Sequence, residues 1–140
     1  MSKQNLRITA LLLCLTMFLS VPAQAAEPYG SAQIAVHSAQ LVKSSDGYLN
    51  VVFSITTNRV MNTLGASSVE IQRYVNSKWV TEYTFTVENT PLLQTDNASY
   101  YALILPYYPQ YASASYRALV HLYAKSDTMT STGTDTTNTV

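Results

Sequence analysis

The stretch 115–125, SYRALVHLYAK, most constrains what this chain can fold into. Apolar or small residues occupy its even positions, namely Tyr116, Ala118, Val120, Leu122 and Ala124. Polar residues alternate with them, including Arg117, His121 and Lys125. Successive side chains of a β-strand point to opposite faces, so this alternation is typical of a strand with one face on a core. The stretch therefore predicts a half-buried strand.

Further short segments alternate in the same way and are separated by turn signals about every ten residues. The clearest of them is Tyr48–Thr56, in which four candidate core residues share one face: Leu49, Val51, Phe53 and Ile55. No segment shows a long helical period. The expected strands are 32–41, 48–56, 68–74, 79–87, 99–105, 115–125 and 134–140. This pattern predicts an all-β fold, an antiparallel Greek-key β-sandwich of about seven strands.

Several local expectations accompany this fold. Thr57–Ser67 lacks alternation and is predicted to be a loop with one helical turn. In the strand that begins at Trp79, alternation predicts that Thr81, Tyr83 and Phe85 share its face while Val80, Glu82 and Thr84 look outward. Pro106–Ser113 is expected to be a corner, because proline cannot join a central ladder. The connection around Leu92 leaves room for a short strand. The polar C-terminus is either a last strand or a frayed tail, and the sandwich favours the strand.

The first 25 residues have the three parts of a secretory signal peptide. Lys3 and Arg7 form a basic start, 8–21 is an apolar run, and Ala23-Gln24-Ala25 is a small-x-small cleavage signature. The apolar run is shorter than the roughly 20 residues that a membrane span needs, so a retained anchor helix is the less favoured alternative. We therefore expect a leader at 1–25, a secreted β-sandwich domain at 26–140, and no membrane association after cleavage.

Cleavage would remove Cys14, the one cysteine of the chain, so the secreted domain could form no disulfide and offer no thiolate ligand. Six basic and eight acidic residues follow Ala25, which gives a net charge near minus two. No basic stripe is present, and this excludes nucleic acid as an expected partner. Stability would have to come from packing alone.

Specific residues resemble those of immunoglobulin-like and fibronectin type III-like sandwiches. The Tyr116-x-Ala118-x-Val120 run is similar to the start of their sixth strand, and Val69-x-Ile71 followed by Trp79 is similar to one of their hairpins. The resemblance implies that the Tyr116 hydroxyl group bonds back to the preceding connection. Ala118 stands where the second of the usual paired cysteines would be expected.

A narrower resemblance rests on three segments, LGASSVEI at 64–71, KWV at 78–80 and TNTV at 137–140. They are similar to a group of small exported proteins of unknown function from Gram-positive anaerobes. That resemblance implies export from a bacterial cell and a sandwich fold, and it implies no particular activity.

Residues that could carry chemistry are few. His37 and His121 are the two histidines, and each lies on an alternating strand without further ligands or a nucleophile in sequence. Glu70 and Glu82 could face each other across a hairpin, as the carboxylates of retaining glycosidases do. Four aspartates lie in expected loops without a calcium-binding array: Asp46, Asp96, Asp127 and Asp135.

The favoured interpretation is a noncatalytic module with no catalytic residue, no metal and no cofactor. The alternative is a small secreted enzyme or metal-dependent protein that uses His121 or the carboxylate pair.

Tyrosine is the residue in excess, with 11 in the chain. Tyr107, Tyr108 and Tyr111 are our candidate binding residues, because Pro106 and Pro109 hold their backbone extended and a phenol combines an apolar ring with a polar tip. A cell-wall glycan or an extracellular protein would suit such a surface. In the competing interpretation, the rings fold inward and seal the end of the domain.

Overall fold

The structure, a computed structural model, describes residues 33–140. The expected leader at 1–25 and its cleavage site lie outside the described residues. Within 33–140 there is no α-helix, and six antiparallel strands form one sheet. The strands, with one short 3-10 helix at Pro91–Leu93, are β1 Ile34–Lys43, β2 Leu49–Val75, β3 Lys78–Thr86, β4 Gln94–Tyr107, β5 Tyr116–Lys125 and β6 Thr130–Thr136.

Strand β2 organises the sheet, because it pairs with four of the other five strands. Its first part pairs with β1 on one side and β4 on the other, and its second part pairs with β5 and β3. Its 27 residues would span roughly 90 Å if they ran straight. Yet the short connection after β4 joins Tyr107, opposite Leu49, to Tyr116, opposite Arg73. Strand β2 must therefore bend, and the bend curls the sheet into a half-barrel.

The bend of β2 replaces the loop that was expected at Thr57–Ser67, and that expectation was wrong. The pairing register shifts between Thr56 and Met61 and again between Ala66 and Ser68, so bulges erase the alternation that would mark a strand. Gly65 lies between the shifts with a φ of +149°, and a Cβ there would come within 2.9 Å of the Gln94 Cα. Any residue with a Cβ would be strained here, both by the positive φ and by the close approach of the Gln94 backbone, so only glycine fits this position.

The core lies on the inner face of the half-barrel. The four core candidates of the first β2 segment are buried, as predicted: Leu49, Val51, Phe53 and Ile55. The even positions of β5 are buried as well, which confirms the half-buried strand expected there. Met61, Leu64, Val69 and Ile71 extend the same core along the second part of β2. One continuous core therefore runs along β2 from Leu49 to Ile71.

The expected all-β, antiparallel class is confirmed. The strands are six rather than about seven, and they form one curled sheet, so the Greek-key sandwich is not confirmed. The segment around Leu92 is a 3-10 helix rather than a strand. The last strand begins at Thr130, earlier than expected, and Val140 still exchanges two backbone hydrogen bonds with Tyr116. The described C-terminus is therefore held to the sheet, as the strand alternative predicted.

The C-terminal segment also contacts β1. The Leu41 backbone N–H donates to the Asn138 side-chain oxygen at 2.9 Å, and the Asn138 amide nitrogen donates to the Leu41 carbonyl at 2.9 Å. This exchange imitates a pair of ladder bonds. His37 Nδ1 lies 2.6 Å from Asp135 Oδ2 along the same seam.

Residues 33–140 contain no helix with the length and apolar character that a membrane span requires.

Candidate functional site

A β-bulge in β3 determines where Glu82 points. Ile71 pairs with Tyr83 and Gln72 pairs with Thr81, so Glu82 is an extra residue between two ladder positions. The bulge turns its side chain to the inner face, where it is only 7% exposed. The expectation that Glu82 looks outward was therefore wrong. Tyr83, the next residue, lies on the same side because it pairs with Ile71, whereas a regular strand would place two successive side chains on opposite faces.

The Glu82 carboxylate accepts hydrogen bonds from four donor groups. Arg73 Nε donates at 2.7 Å, the Tyr107 hydroxyl group at 2.7 Å, the Tyr116 hydroxyl group at 3.2 Å and the Gln110 backbone N–H at 3.3 Å. Burial raises the pKa of Glu82, but these hydrogen bonds together lower it by more than burial raises it. The pKa of Glu82 therefore lies below the ordinary value of 4.5. Glu82 is thus an ionised carboxylate that joins β2, β3, β4 and the β4–β5 connection.

Tyr116 links this cluster to the connection that precedes it. Its ring is buried, and its hydroxyl oxygen accepts a hydrogen bond from the Tyr111 backbone N–H at 3.3 Å while the hydroxyl proton is directed at Glu82. The bond back to the preceding connection is as predicted. Burial and the Glu82 charge raise the pKa of Tyr116, although the Tyr111 N–H opposes the shift.

The three candidate tyrosines separate into one inner and two outer residues. Tyr107 turns inward to Glu82, and its ring stacks on Tyr83 with centroids 5.6 Å apart. Tyr108 is 66% exposed and meets the Tyr48 ring edge-on at 5.3 Å. Tyr111 is 50% exposed, and the Arg73 guanidinium group lies 3.9 Å from its ring centroid. We call Tyr108 and Tyr111 the tyrosine rim.

Glu70 lies in a separate cluster on the opposite, outer face of the sheet. It contacts His121 Nε2 at 3.0 Å and accepts from the Thr81 hydroxyl group at 3.0 Å. Burial raises the pKa of Glu70, but hydrogen bonds from His121 and Thr81 and the charge of His121 lower it below its ordinary value. Because the bulge turns Glu82 to the inner face, these two glutamates do not form the carboxylate pair that the sequence suggested.

His121 is held at both ring nitrogens. Besides Glu70 on Nε2, the Thr134 hydroxyl group lies 3.2 Å from Nδ1. A shallow hollow of about 390 Å³ adjoins the ring, and hydroxyl side chains form much of its lining, namely Ser67, Ser68, Thr132 and Thr134. The sequence singled out His121 but not Thr134, because strand register alone brings β6 to this position.

Beyond Glu70, the outer face of the sheet carries aromatic and guanidinium side chains. The Arg117 guanidinium group lies 4.4 Å from the Trp79 ring centroid, and Arg117 Nε donates to the Gln72 side-chain oxygen at 2.9 Å. Tyr74 packs on Trp79 with ring centroids 5.0 Å apart. Trp79 and Thr81 thus lie on the outer face. Phe85 packs against the core, and Tyr83 lies on the same side as Phe85 but is 41% exposed. The bulge at Glu82 therefore separates two sets that the sequence placed on one face.

The aspartates that were considered for calcium lie apart in four different contacts. Asp46 accepts from Ser44, Asp96 from Thr63 and Asp127 from Asn62, whereas Asp135 pairs with His37. Among the described residues, no group of three or more His, Cys, Asp or Glu side chains is placed to hold a metal ion.

Comparisons with known proteins add little to this geometry. No protein-family model matches the sequence, and no curated protein matches it significantly. Among solved structures, the solution structure of a suspected late embryogenesis abundant (LEA) protein is similar, with a TM-score of 0.39 and 11% identity over 96% of this chain and 85% of that chain. A TM-score of this size supports no conclusion about function.

Proposed function

We propose that residues 26–140 form a small secreted, noncatalytic module that binds a cell-wall glycan or an extracellular protein, after removal of 1–25 as a signal peptide. The leader pattern and the lack of cysteine after position 25 support export from a bacterium. The Tyr116 contact to its preceding connection supports a relation to immunoglobulin-like and fibronectin type III-like domains. The three sequence segments described above support membership in the group of small exported proteins.

The tyrosine rim is the observation that carries the binding proposal. Both rings are at least half exposed, yet each already rests on a partner, Tyr108 on Tyr48 and Tyr111 on Arg73. Pro109 lies between them and limits the backbone of the connection. A ligand that stacks on such rings orders few additional side chains, so little conformational entropy opposes binding. Tyr107, the third candidate, lies inward of the rim, bonded to Glu82 and stacked on Tyr83.

The experiment is a pull-down of the secreted domain against cell-wall material and extracellular proteins. The parent domain should be retained, and a Tyr108→Ala, Tyr111→Ala double variant should lose most of that retention at an unchanged melting temperature. Tyr100→Ala is the matched control, because Tyr100 is an exposed tyrosine on β4 outside the rim. Equal retention of the double variant and the parent would contradict the rim as the binding site.

A second candidate function is a small secreted enzyme that uses His121. It is favoured by one observation, the chain of Thr134 hydroxyl, His121 imidazole and Glu70 carboxylate. Such a chain can move a proton between a hydroxyl group and a base. If this function holds, chromogenic ester hydrolysis by the parent should be abolished in His121→Ala. Parent activity equal to that of the variant would reject it.

The metal-dependent form of this second candidate is tested separately. A metal that binds the folded domain raises its melting temperature. A rise of several degrees with calcium or zinc, reversed by chelator, would support that form, and unchanged melting would reject it.

A further inference from the structure

We propose that the outer face of β3, β2, β5 and β6 binds a neutral polysaccharide chain. The residues that would contact it form what we call the outer polar face: Tyr74, Trp79, Gln72, Arg117, Glu70 and His121. The inference shares with the proposed function the premise that the chain is a binding module, but it assigns a different surface from the tyrosine rim and a definite class of ligand.

Strand register places these side chains on one face. Tyr74 lies opposite Trp79, Gln72 opposite both Thr81 and Arg117, and Ser68 opposite His121. Residues opposite each other in an antiparallel pair point to the same side, and steps of two along β2 keep that side. From Tyr74 to Ser68 the face extends roughly 20 Å at ~3.3 Å per residue. That length accommodates several sugar rings of an extended chain.

The aromatic end of the face suits the apolar side of a sugar ring. Tyr74 is 47% exposed, and its ring is backed by Trp79. The Trp79 ring is held in turn, because the Arg117 guanidinium group lies over it and Arg117 Nε donates to Gln72. A phenol held in this way presents a flat apolar surface with a polar tip and loses little freedom on binding.

The polar part of the face suits the hydroxyl groups of a neutral glycan. Arg117 Nε donates to Gln72 at 2.9 Å, and the Gln72 amide nitrogen donates to Glu70 at 3.4 Å, so the three side chains form one row. Each retains capacity for a further hydrogen bond, since a guanidinium group has five N–H donors, an amide has two donors and an acceptor oxygen, and a carboxylate oxygen accepts more than once. The Glu70 carboxylate opposes an acidic polymer, and the Arg117 guanidinium group opposes a basic one. A ligand whose hydroxyl groups both donate and accept, without net charge, can form hydrogen bonds with all three side chains.

A bulge opens a hollow at the far end of this face. The register shift between Ala66 and Ser68 inserts Ser67, whose hydroxyl group donates to the His121 carbonyl at 3.2 Å. Ser67 and Ser68 therefore both line the hollow beside His121 and Thr134. In a regular strand two successive side chains could not do so. The hollow supplies a hydroxyl-lined position for a substituent or the end of the glycan.

The test is affinity electrophoresis of the domain in gels that contain hydroxyethyl cellulose, mixed-linkage β-glucan or, as an acidic comparison, polygalacturonate. The parent should be retarded by at least one neutral polymer and not by polygalacturonate. A Tyr74→Ala, Gln72→Ala double variant should lose that retardation, whereas Tyr74→Phe should keep it because the ring remains. Circular dichroism melting of each variant verifies that it is folded, and His121→Gln provides a second, milder disruption.

The outcomes separate this inference from the rim proposal. Loss of retardation in Tyr74→Ala, Gln72→Ala and His121→Gln, with full retardation in Tyr108→Ala, Tyr111→Ala, supports the outer polar face. Loss only in the tyrosine-rim variant overturns the face and leaves the rim standing. If no neutral polymer retards the parent domain, the inference is overturned. Capture of an extracellular protein through the rim would still support the proposed function in that case.

Discussion

The Tyr107 hydroxyl group donates a 2.7 Å hydrogen bond to Glu82, and this bond connects two strands that do not pair with each other. Tyr107 ends β4 and Glu82 is the bulged residue of β3, and both strands pair with β2 alone. The Tyr107 ring also packs against Tyr83 and Phe85 of β3. Strands β3 and β4 are therefore joined by side-chain contacts rather than by a ladder.

Glu82→Gln should change how stability depends on pH. The folded-state pKa of Glu82 lies below the ordinary 4.5, so its ionised form stabilises the fold above that pH, and the contribution is lost as pH falls through the folded-state pKa. The difference in melting temperature between parent and variant should thus be greatest near neutral pH and shrink below about pH 4.5. Melting curves from pH 3 to 7 measure it, with Glu88→Gln at an exposed position as the control. A constant difference across that range would contradict the assignment.

Tyr116→Phe should lower the free energy of unfolding by roughly 1–3 kcal/mol. The change removes a donor to Glu82 and the acceptor of the Tyr111 N–H, and it leaves the buried ring in place. Urea denaturation measures the loss. Tyr108→Phe is the control, because that exposed ring has no comparable buried contact, and it should be neutral. Equal stability of Tyr116→Phe and the parent would refute the anchoring role.

Gly65→Ala should be among the most damaging small substitutions in the chain. A Cβ at Gly65 would collide with the backbone of Leu93 and Gln94, and a φ of +149° is strained for alanine. We expect a loss of about 3 kcal/mol or more in the free energy of unfolding. In Gly133→Ala, the new Cβ would meet only the Leu122 side chain at 3.8 Å, so that variant should remain close to the parent. Similar stabilities of the two variants would show that β2 does not approach the 3-10 helix as described.

Asn138→Ala should loosen the seam between β1 and the C-terminal segment. The variant loses both hydrogen bonds with the Leu41 backbone, which should cost about 1–3 kcal/mol. Amide hydrogen exchange offers a local measurement, since the Leu41 N–H should exchange faster in the variant while the amide of buried Val120 on β5 changes less. Unchanged protection of Leu41 would contradict the clamp.

The sequence predicted the strands whose alternation is regular and missed the positions where a bulge interrupts it. The first part of β2 and all of β5 were recognised because every second residue is apolar. The bend at Thr57–Ser67 was read as a loop, since two register shifts and Gly65 break the period within a continuous strand. A bulge is defined by how a strand pairs with its neighbour, and the sequence of one strand does not show which residues its neighbour places opposite.

The same limit applies to the candidate site. The buried tyrosine anchor at Tyr116 could be predicted, because it heads the most regular strand. Glu82 was placed on the wrong face, since an extra residue in β3 reverses the alternation before it. That one reversal also moved Glu82 away from Glu70. Tyr107 points inward because it pairs with buried Leu49 in the ladder of β2 and β4. Thr134 was missed because its contact with His121 arises from the register of β5 with β6.

The central claim, that this is a binding module which uses the tyrosine rim, is tested most directly by titration. The ligand recovered by pull-down is titrated into the parent, Tyr100→Ala and the Tyr108→Ala, Tyr111→Ala variant, with melting temperatures measured in parallel. The account predicts that Tyr100→Ala binds like the parent and that the rim variant binds at least about tenfold more weakly, a change of ~1.4 kcal/mol, without loss of melting temperature. A rim variant that is fully folded and binds with the affinity of the parent would contradict it.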